Sequence, residues 1–427
     1  MSIWGRLFLI FSVAILSFIT GYSFREIVRG EGPHNLGTLA EAIGLRNEEP
    51  GSLKPSTAFV TALGRIEAEF YGTPDRQKLI FAAANGMLAA LNDPYTLLLE
   101  AKEAELFDER NRGRFTNSGG IGAELSPHEL GARVERVFKN SPASKAGLKP
   151  NDLVVKVNGE DVAGDAVETI VERIRGQEGT KVQITIFRPS EKKTKTFSLT
   201  RRRVSIQDVY GDVIFVDSKN GKVPIGLMQV RMFSETMVRQ FDEEYDALEA
   251  KKIKGLIIDL RHNPGGLMDS AVDLAGRFLS GKLVATMKRR NSAPETYFTK
   301  RSFARKRDYP VVILVDDTTA SAAEIFAGAL QDYKVATLVG EHTFGKASVQ
   351  TMVPLRNGAE LKITIGKYYL PSNKPIARVE DENGRYVSGG IWPDVQVKLS
   401  PNAVPGDQKS DNQLQKAIKV ILQKIDG

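Results

Sequence analysis

The sequence predicts an α/β fold of the α+β multidomain kind, with helices first, a β-rich module next and a βα alternation last. Three patterns carry this. Apolar residues recur at helical spacing from Thr57 to about Phe107, and short β-branched runs take over from about Gly119 to Val204. Beyond these, runs such as GLIIDL and VVILVD alternate with helical segments, as strands buried on both faces of a sheet require.

Composition bounds the answer. A chain of 427 residues, 41% hydrophobic and 26% charged, is globular and long enough for two or three domains. The net charge of +7 is spread thinly, and the basic clusters at 201–203, 288–290 and 305–307 lack the interleaved aromatics of a nucleic-acid surface. They read as solvated faces or contacts with anionic lipid, and no nucleic-acid partner is expected. The absence of cysteine excludes disulfides, thiol catalysis and thiolate zinc sites, and it suits an oxidising compartment.

Residues 1–29 carry a targeting segment, in which Arg6 precedes an apolar run from Leu7 to about Tyr22. The run is near the short limit for a membrane span, and Thr20-Gly21-Tyr22 is a poor cleavage site. A retained signal-anchor is therefore favoured over a cleaved signal, although Arg25 and Arg29 behind the run leave its orientation weakly determined. Either form places the body in the cell envelope, periplasmic or extracytoplasmic. Residues 30–56 lack periodicity and form a spacer.

The helical region, 57–115, shows Leu63, Ile66 and Phe70, then Leu79, Ile80, Ala83, Met87 and Leu91, before Asn92-Asp93-Pro94 breaks it. The β-rich module, 116–204, holds ARVERVF, DLVVKVNG and KVQITIF, with a helix at 167–174. The α/β core, 205–400, follows as VPIGLMQV, a helix near 234–249, GLIIDL, a helix at 269–279, VVILVD, a helix at 321–333 and VATLVG. A linker and a last helix, capped by Asp411 and with Leu414, Ala417, Ile418 and Ile421 on one face, occupy 401–427.

Three motifs carry chemistry. In TASAAE, Ser321 stands where a strand gives way to a helix, so that free N–H groups and the helix dipole face its hydroxyl, as an acyl-transfer nucleophile requires. Serine is equally a good N-cap, and Glu324 completes a capping box. In GEHTFGKASVQ, the Gly340, Gly345, Lys346 spacing imitates a phosphate-binding loop, but Ala347 replaces the metal-binding hydroxyl and a strand pattern follows. Lys346 can instead be a general base if burial keeps it neutral, with Gln350 orienting the amine, or simply a surface lysine in a glycine turn. In DLRHNPGG, the bare turn can present an N–H to an oxyanion, that of Gly265 in preference to Gly266, beside that of Ala322, or be an ordinary turn, while Asp259 and Arg261 pair to brace the loop. His262 and His342 fall within two motifs, but neither shows a carboxylate partner in sequence. No metal-ligand spacing is present.

Taken in order, GGIG, NSPASKAGLKPNDLVVKVNG, DLRHNPGG, TASAAE and GKASVQ resemble the carboxyl-terminal processing, or tail-specific, proteases, and the similarity extends over about residues 57–425. It includes NGMLAALNDPYT, AELKITIGKYYLPSNKPI and GIWPDVQV. The resemblance implies a serine endopeptidase with a Ser-Lys dyad on a crotonase-like (ClpP-like) core of ββα units, interrupted by a PDZ domain and working without a cofactor. Ser321 matches the nucleophile, Lys346 the general base, Gln350 the residue orienting it, and Gly265 and Ala322 the oxyanion hole. Gly119, Gly120, Ile121 and Gly122 match the loop that receives a peptide carboxylate. His262, Ala347 and Ser348 depart from the family pattern without removing a catalytic group.

The expected function is C-terminal processing or degradation of exported proteins. Expected partners are protein or peptide substrates with apolar C-termini and, through the N-terminal segment, the membrane. An adaptor or activator and a homo-oligomer are compatible with the sequence. The competing class is a binding protein that kept the fold and lost catalysis.

Overall fold

The computed structural model describes residues 55–426, except 114–118, 139, 220, 306, 356 and 357. The apolar run at 7–22 and the spacer as far as residue 54 lie outside the described residues. Among those described, no helix is long and apolar enough to cross a membrane.

The chain divides into two compact units, Met1–Asn92 and Asp93–Gly427. In the first, α1 (Pro55–Glu69) and α2 (Arg76–Ala89) are the described elements. Asp75 starts α2 by accepting the Gln77 and Lys78 N–H groups, an N-cap that satisfies two orphan donors of the first turn.

The second unit begins with β1 (Leu97–Leu99) and α3 (Ala101–Arg112), the latter closed by Gly113 in the left-handed conformation. A small antiparallel module follows: β2 (Ala123–His128), β3 (Gly131–Val137), α4 (Pro142–Ala146), β4 (Leu153–Val157), β5 (Glu160–Asp161), α5 (Val167–Ile174), β6 (Lys181–Arg188) and β7 (Lys193–Thr200). Its order is β2-β3-β4-β6-β7, with β5 on β4, so β2 is an edge strand. In β6, Val182, Ile184 and Ile186 are buried between exposed Lys181 and Gln183, the period of two that a half-buried strand shows. These side chains meet Val134, Val154 and Ile170 in a core of their own.

The remaining elements build two further sheets. In chain order they are β8 (Val209–Ser218), β9 (Gly221–Val230), α6 (Met237–Glu249), β10 (Leu256–Asp259), α7 (Met268–Ala275), β11 (Leu283–Arg289), β12 (Glu295–Phe298), β13 (Val311–Val315), α8 (Ala322–Asp332), β14 (Ala336–Gly340), β15 (Ser348–Pro354), β16 (Glu360–Tyr369), β17 (Val379–Glu380), β18 (Tyr386–Ser388), β19 (Val395–Gln396) and α9 (Asn412–Asp426). The main sheet runs β19-β14-β13-β10-β9-β8, parallel except for β8.

The apolar runs of the sequence are explained by two-sided burial. Leu256, Ile258, Val311 and Ile313 face α6, α7 and α8, whereas Ile257, Val312 and Leu314 face Leu414, Ala417 and Ile421 of α9. The fold is thus mixed α/β, with helices on both faces of the main sheet. The second sheet, β1-β16-β11-β12 with β15 on β16, lies outside that pattern.

In the basic segment around 300–309, read from sequence as a solvated or lipid-facing surface, Lys300, Arg301 and Asp308 are exposed, whereas Arg305 and Arg307 are half-buried against acidic and aromatic groups. Arg305 pairs with Asp242 and Asp246 of α6, and the Arg307 guanidinium lies 4.2 Å from the Phe278 ring centroid.

One buried ion cluster ties the last helix to the middle of the chain. Arg261, 2% exposed at its side chain, donates to Asp259 at 2.9 and 2.7 Å and to Asp411 at 3.1 and 2.7 Å. Asp411 also accepts the Leu414 N–H at 2.9 Å, so one carboxylate both caps α9 and neutralises Arg261. Asp411→Ala is expected to destabilise the protein by about 3 kcal/mol, because it strips a buried cation of one partner. The midpoint of urea unfolding checks this, and a midpoint equal to wild type would contradict it.

Candidate active site

The three motifs meet because their strands are neighbours. β10, β13 and β14 lie side by side and parallel, with Asp259 opposite Leu314 and Val315 opposite Gly340. The loops that leave their carboxyl ends, 260–267, 316–321 and 341–347, therefore emerge together, where open α/β sheets place their sites. Hydrogen bonds lock them: Ala320 N–H to Asn263 O at 3.0 Å, Phe344 N–H to Thr319 O at 2.9 Å, and Thr319 Oγ1 to Leu260 O at 3.0 Å.

Ser321 is the N-cap of α8, in a capping box with Glu324, and has φ 56° and ψ −119°. A non-glycine residue in this region is strained, at a cost of about 1–3 kcal/mol, and is held there only by its surroundings. Those surroundings centre on Glu324, fully buried, whose carboxylate accepts from Ser321 N–H (2.8 Å), Lys346 N–H (2.9 Å), Gly345 N–H (2.7 Å) and Thr343 Oγ1 (2.5 Å). Burial pushes the Glu324 carboxyl up, and these hydrogen bonds oppose the rise. Tyr368 adds a hydroxyl that donates to Ser321 O at 3.2 Å.

Ser321 and Lys346 line the same cavity of about 400 Å³, together with Gly265, Gly266, Ala322 and Gln350. Met232, Leu267, Met268, Ile325, Val349 and Met352 make much of its wall apolar. The Lys346 amine lies 4.9 Å from the Tyr95 ring centroid. Its pKa is lowered to about 8, first by burial and then by the neighbouring charge of Lys362, with Glu324 and Asp93 opposing.

The other expected site residues are placed less simply. Gln350 Nε2 donates to Ser348 Oγ at 2.9 Å and Thr364 Oγ1 at 3.2 Å. The Gly265 N–H donates to Asn263 Oδ1 at 2.8 Å, while Gly266 is exposed to the cavity. Both glycines have positive φ, 100° and 137°, and a Cβ would stand 2.7 Å from Ser321 Cβ at Gly265 or 2.4 Å from Phe233 O at Gly266. His262 has a carboxylate that the sequence did not reveal, Asp316 at 3.0 Å, but its ring is exposed and does not line the cavity. His342 stacks on Tyr386 and is likewise absent from the lining.

Gly120, Ile121 and Gly122 line a second cavity of about 400 Å³, walled by Val171 and Ile174 of α5 and by Arg110, Asp208 and Arg231. Gly119 is not part of its lining and donates its N–H to Gly176 O, and the Gly120 N–H goes to Arg202 O. The two cavities share Arg110.

Two family models match the chain: peptidase family S41 over residues 224–397 and the PDZ domain over 133–188. The chain is 37% identical over 339 residues to carboxy-terminal processing protease CtpA of Bacillus subtilis (strain 168), covering 79% of this chain and 68% of that protein. This chain belongs to the S41 carboxy-terminal processing proteases. CtpB of the same organism is 34% identical over 335 residues, covering 78% of this chain and 66% of that protein, so the chain spans about two thirds of the length of both relatives. A solved structure from Bacteroides fragilis NCTC 9343, assigned to the S41 proteases, matches in fold, with 16% identity, a TM-score of 0.52, and coverage of 89% of this chain and 99% of that one. The S41 chain is accordingly a serine-type peptidase carrying a PDZ domain.

Sequence reasoning registered Glu324 only as a capping partner and missed Tyr95, Tyr368 and Lys362. The signal for Glu324 was present, since a buried carboxylate directly after a serine elbow needs several donors. Two outcomes are expected in this peptidase. Glu324→Gln, which turns an NH₂ toward N–H donors, lowers stability by about 2 kcal/mol and activity at least about tenfold, measured by unfolding and peptide cleavage. Ser321→Gly unfolds at higher denaturant than Ser321→Ala, by about 1 kcal/mol, because glycine accepts the positive φ that alanine does not.

Proposed function

We propose that this peptidase hydrolyses peptide bonds in exported proteins with a Ser-Lys dyad, Ser321 as nucleophile and Lys346 as general base, after its PDZ domain captures an apolar substrate C-terminus. The observation that carries this reading is the pairing of Ser321, at a strained helix N-terminus, with a lysine whose amine loses its proton near pH 8 in the same cavity. The neutral amine takes the hydroxyl proton as Oγ attacks the substrate carbonyl, and it then gives that proton to the leaving amine. Water, deprotonated by the same amine, hydrolyses the acyl-enzyme and frees Ser321.

The tetrahedral oxyanion rests on backbone N–H groups. Ala322 supplies one, at the start of α8. The commitment of Gly265 N–H to Asn263 favours Gly266 as the second. Gln350 orients Lys346 through the β15 register, and its present bonds to Ser348 and Thr364 hold its side chain at the cavity edge.

Capture uses the edge strand β2, along which a peptide can add as a further strand, with its carboxylate on the N–H groups of Ile121 and Gly122. The apolar run at 7–22 favours an envelope location with the N-terminal segment in the membrane. No cofactor enters the mechanism.

Cleavage of an unfolded protein with an apolar C-terminus, read by mass spectrometry, tests the assignment: wild type cuts, and Ser321→Ala and Lys346→Ala do not. Below about pH 8 Lys346 is protonated and cannot accept the serine proton, so kcat/KM falls about tenfold for each pH unit of acidification. A profile flat down to about pH 5 would exclude the lysine as base.

A further inference from the structure

The Ser321 cavity contains a second lysine. Lys362 stands on β16 directly opposite Met352 of β15, two residues along the strand from Thr364, which is opposite Gln350. Residues two apart share a face, so Lys362, Thr364, Gln350 and Met352 form one patch, and three of them line the cavity. The Lys362 ammonium lies 4.8 Å from the Phe107 ring centroid, much as Lys346 lies over Tyr95. Two cationic side chains thus enter one cavity from different elements, each resting on an aromatic ring.

The charges around the pair come from several elements. Glu324 of α8 and Asp93, ahead of β1, favour protonated Lys346, and Asp93 does the same for Lys362. Arg110 of α3 lines the cavity as well. Two ammonium groups in a partly desolvated space disfavour each other, and the proton leaves first from the site least able to keep it. Burial is the leading cause of the low Lys346 value and also lowers Lys362, while the Lys362 charge is the second cause at Lys346.

We propose that Lys362 is a positioning residue acting through Lys346: held across the cavity by the β15–β16 register, its ammonium makes the free amine the working form of the base. The inference rests on the Ser321–Lys346 reading and adds the group that keeps that base usable. Lys362 takes no proton from substrate and forms no bond to it. Its contribution is a fixed charge beside an amine that must stay neutral.

The test is kcat/KM against pH, from about pH 6 to about pH 10, for wild type, Lys362→Met, Lys362→Gln and Lys362→Arg, with Lys346→Ala alongside. Lys362→Met keeps the stem over Phe107 and removes the charge, and Lys362→Gln removes it with a different side chain. Both are expected to move the rising limb about one pH unit upward, so that activity at pH 7 falls about tenfold and the deficit narrows as pH rises. Lys362→Arg returns the limb to its wild-type position. Limbs of the neutral variants superimposing on wild type, or an equal loss at every pH in the neutral and arginine variants, would overturn the proposal. If Lys346→Ala cleaves as wild type does, the dyad itself fails, an outcome read independently of the Lys362 profiles.

Discussion

The site depends on one buried carboxylate. Glu324 reaches back from the first turn of α8 to the Ser321 N–H and across to the Gly345 and Lys346 N–H groups, so a single side chain fixes both the serine elbow and the lysine loop. A carboxylate is suited to this because it only accepts, and every group pointed at it donates. Thr343 is kept in the donor role since its oxygen already accepts the Ile391 N–H at 2.7 Å. Without such a hub, two loops from different strands would each have to find their geometry alone, and the strained backbone at Ser321 would relax.

Electrostatic order in the site follows from the same economy. The Glu324 carboxylate faces backbone N–H groups and the Thr343 hydroxyl, and the cavity itself is lined by apolar, neutral polar and cationic side chains. Lys346 and Lys362 sit over rings, and the nearest acids act on them only at a distance. The PDZ side is organised differently. There Arg231 grips Glu124 of β2 through two hydrogen bonds, at 2.7 and 3.0 Å. Arg231 directly precedes Met232 of the Ser321 cavity, so β2 and that cavity are joined by one side chain and one backbone step.

The centre of the main sheet was legible in the sequence because β10 and β13 are buried on both faces and thus almost wholly apolar, and the helix at 167–174 was legible because Ile170 and Ile174 follow helical spacing. The capping box of Ser321 and Glu324 and the Asp411 cap were visible as local patterns. Of the second sheet only β15 was legible, because the other strands are half-buried and some pair over long separations, as Leu97 does with Lys362. For the same reason Lys362 and Tyr95, although inside stretches that carry the resemblance, had no local mark as site residues: each reaches the site from a distant part of the chain. The sequence favoured Gly265 and left Gly266 open, and the Asn263 side chain, fixed on Val230 O at 2.8 Å, distinguishes them by taking the Gly265 N–H.

The Arg261–Asp411 contact spans 150 residues of chain. A polypeptide grows and emerges N-terminus first, so Arg261 is made about 8 to 30 s before the carboxylate that neutralises it. During that interval a guanidinium destined for burial has only half its counter-charge, and the neighbouring glycine turn has no α9 beneath it. Ser321 and Lys346 leave the ribosome within the same interval. Ser321 and Lys346 are therefore synthesised before the carboxylate that completes the ion cluster beside the glycine turn, and a growing chain passes this stage without a finished site.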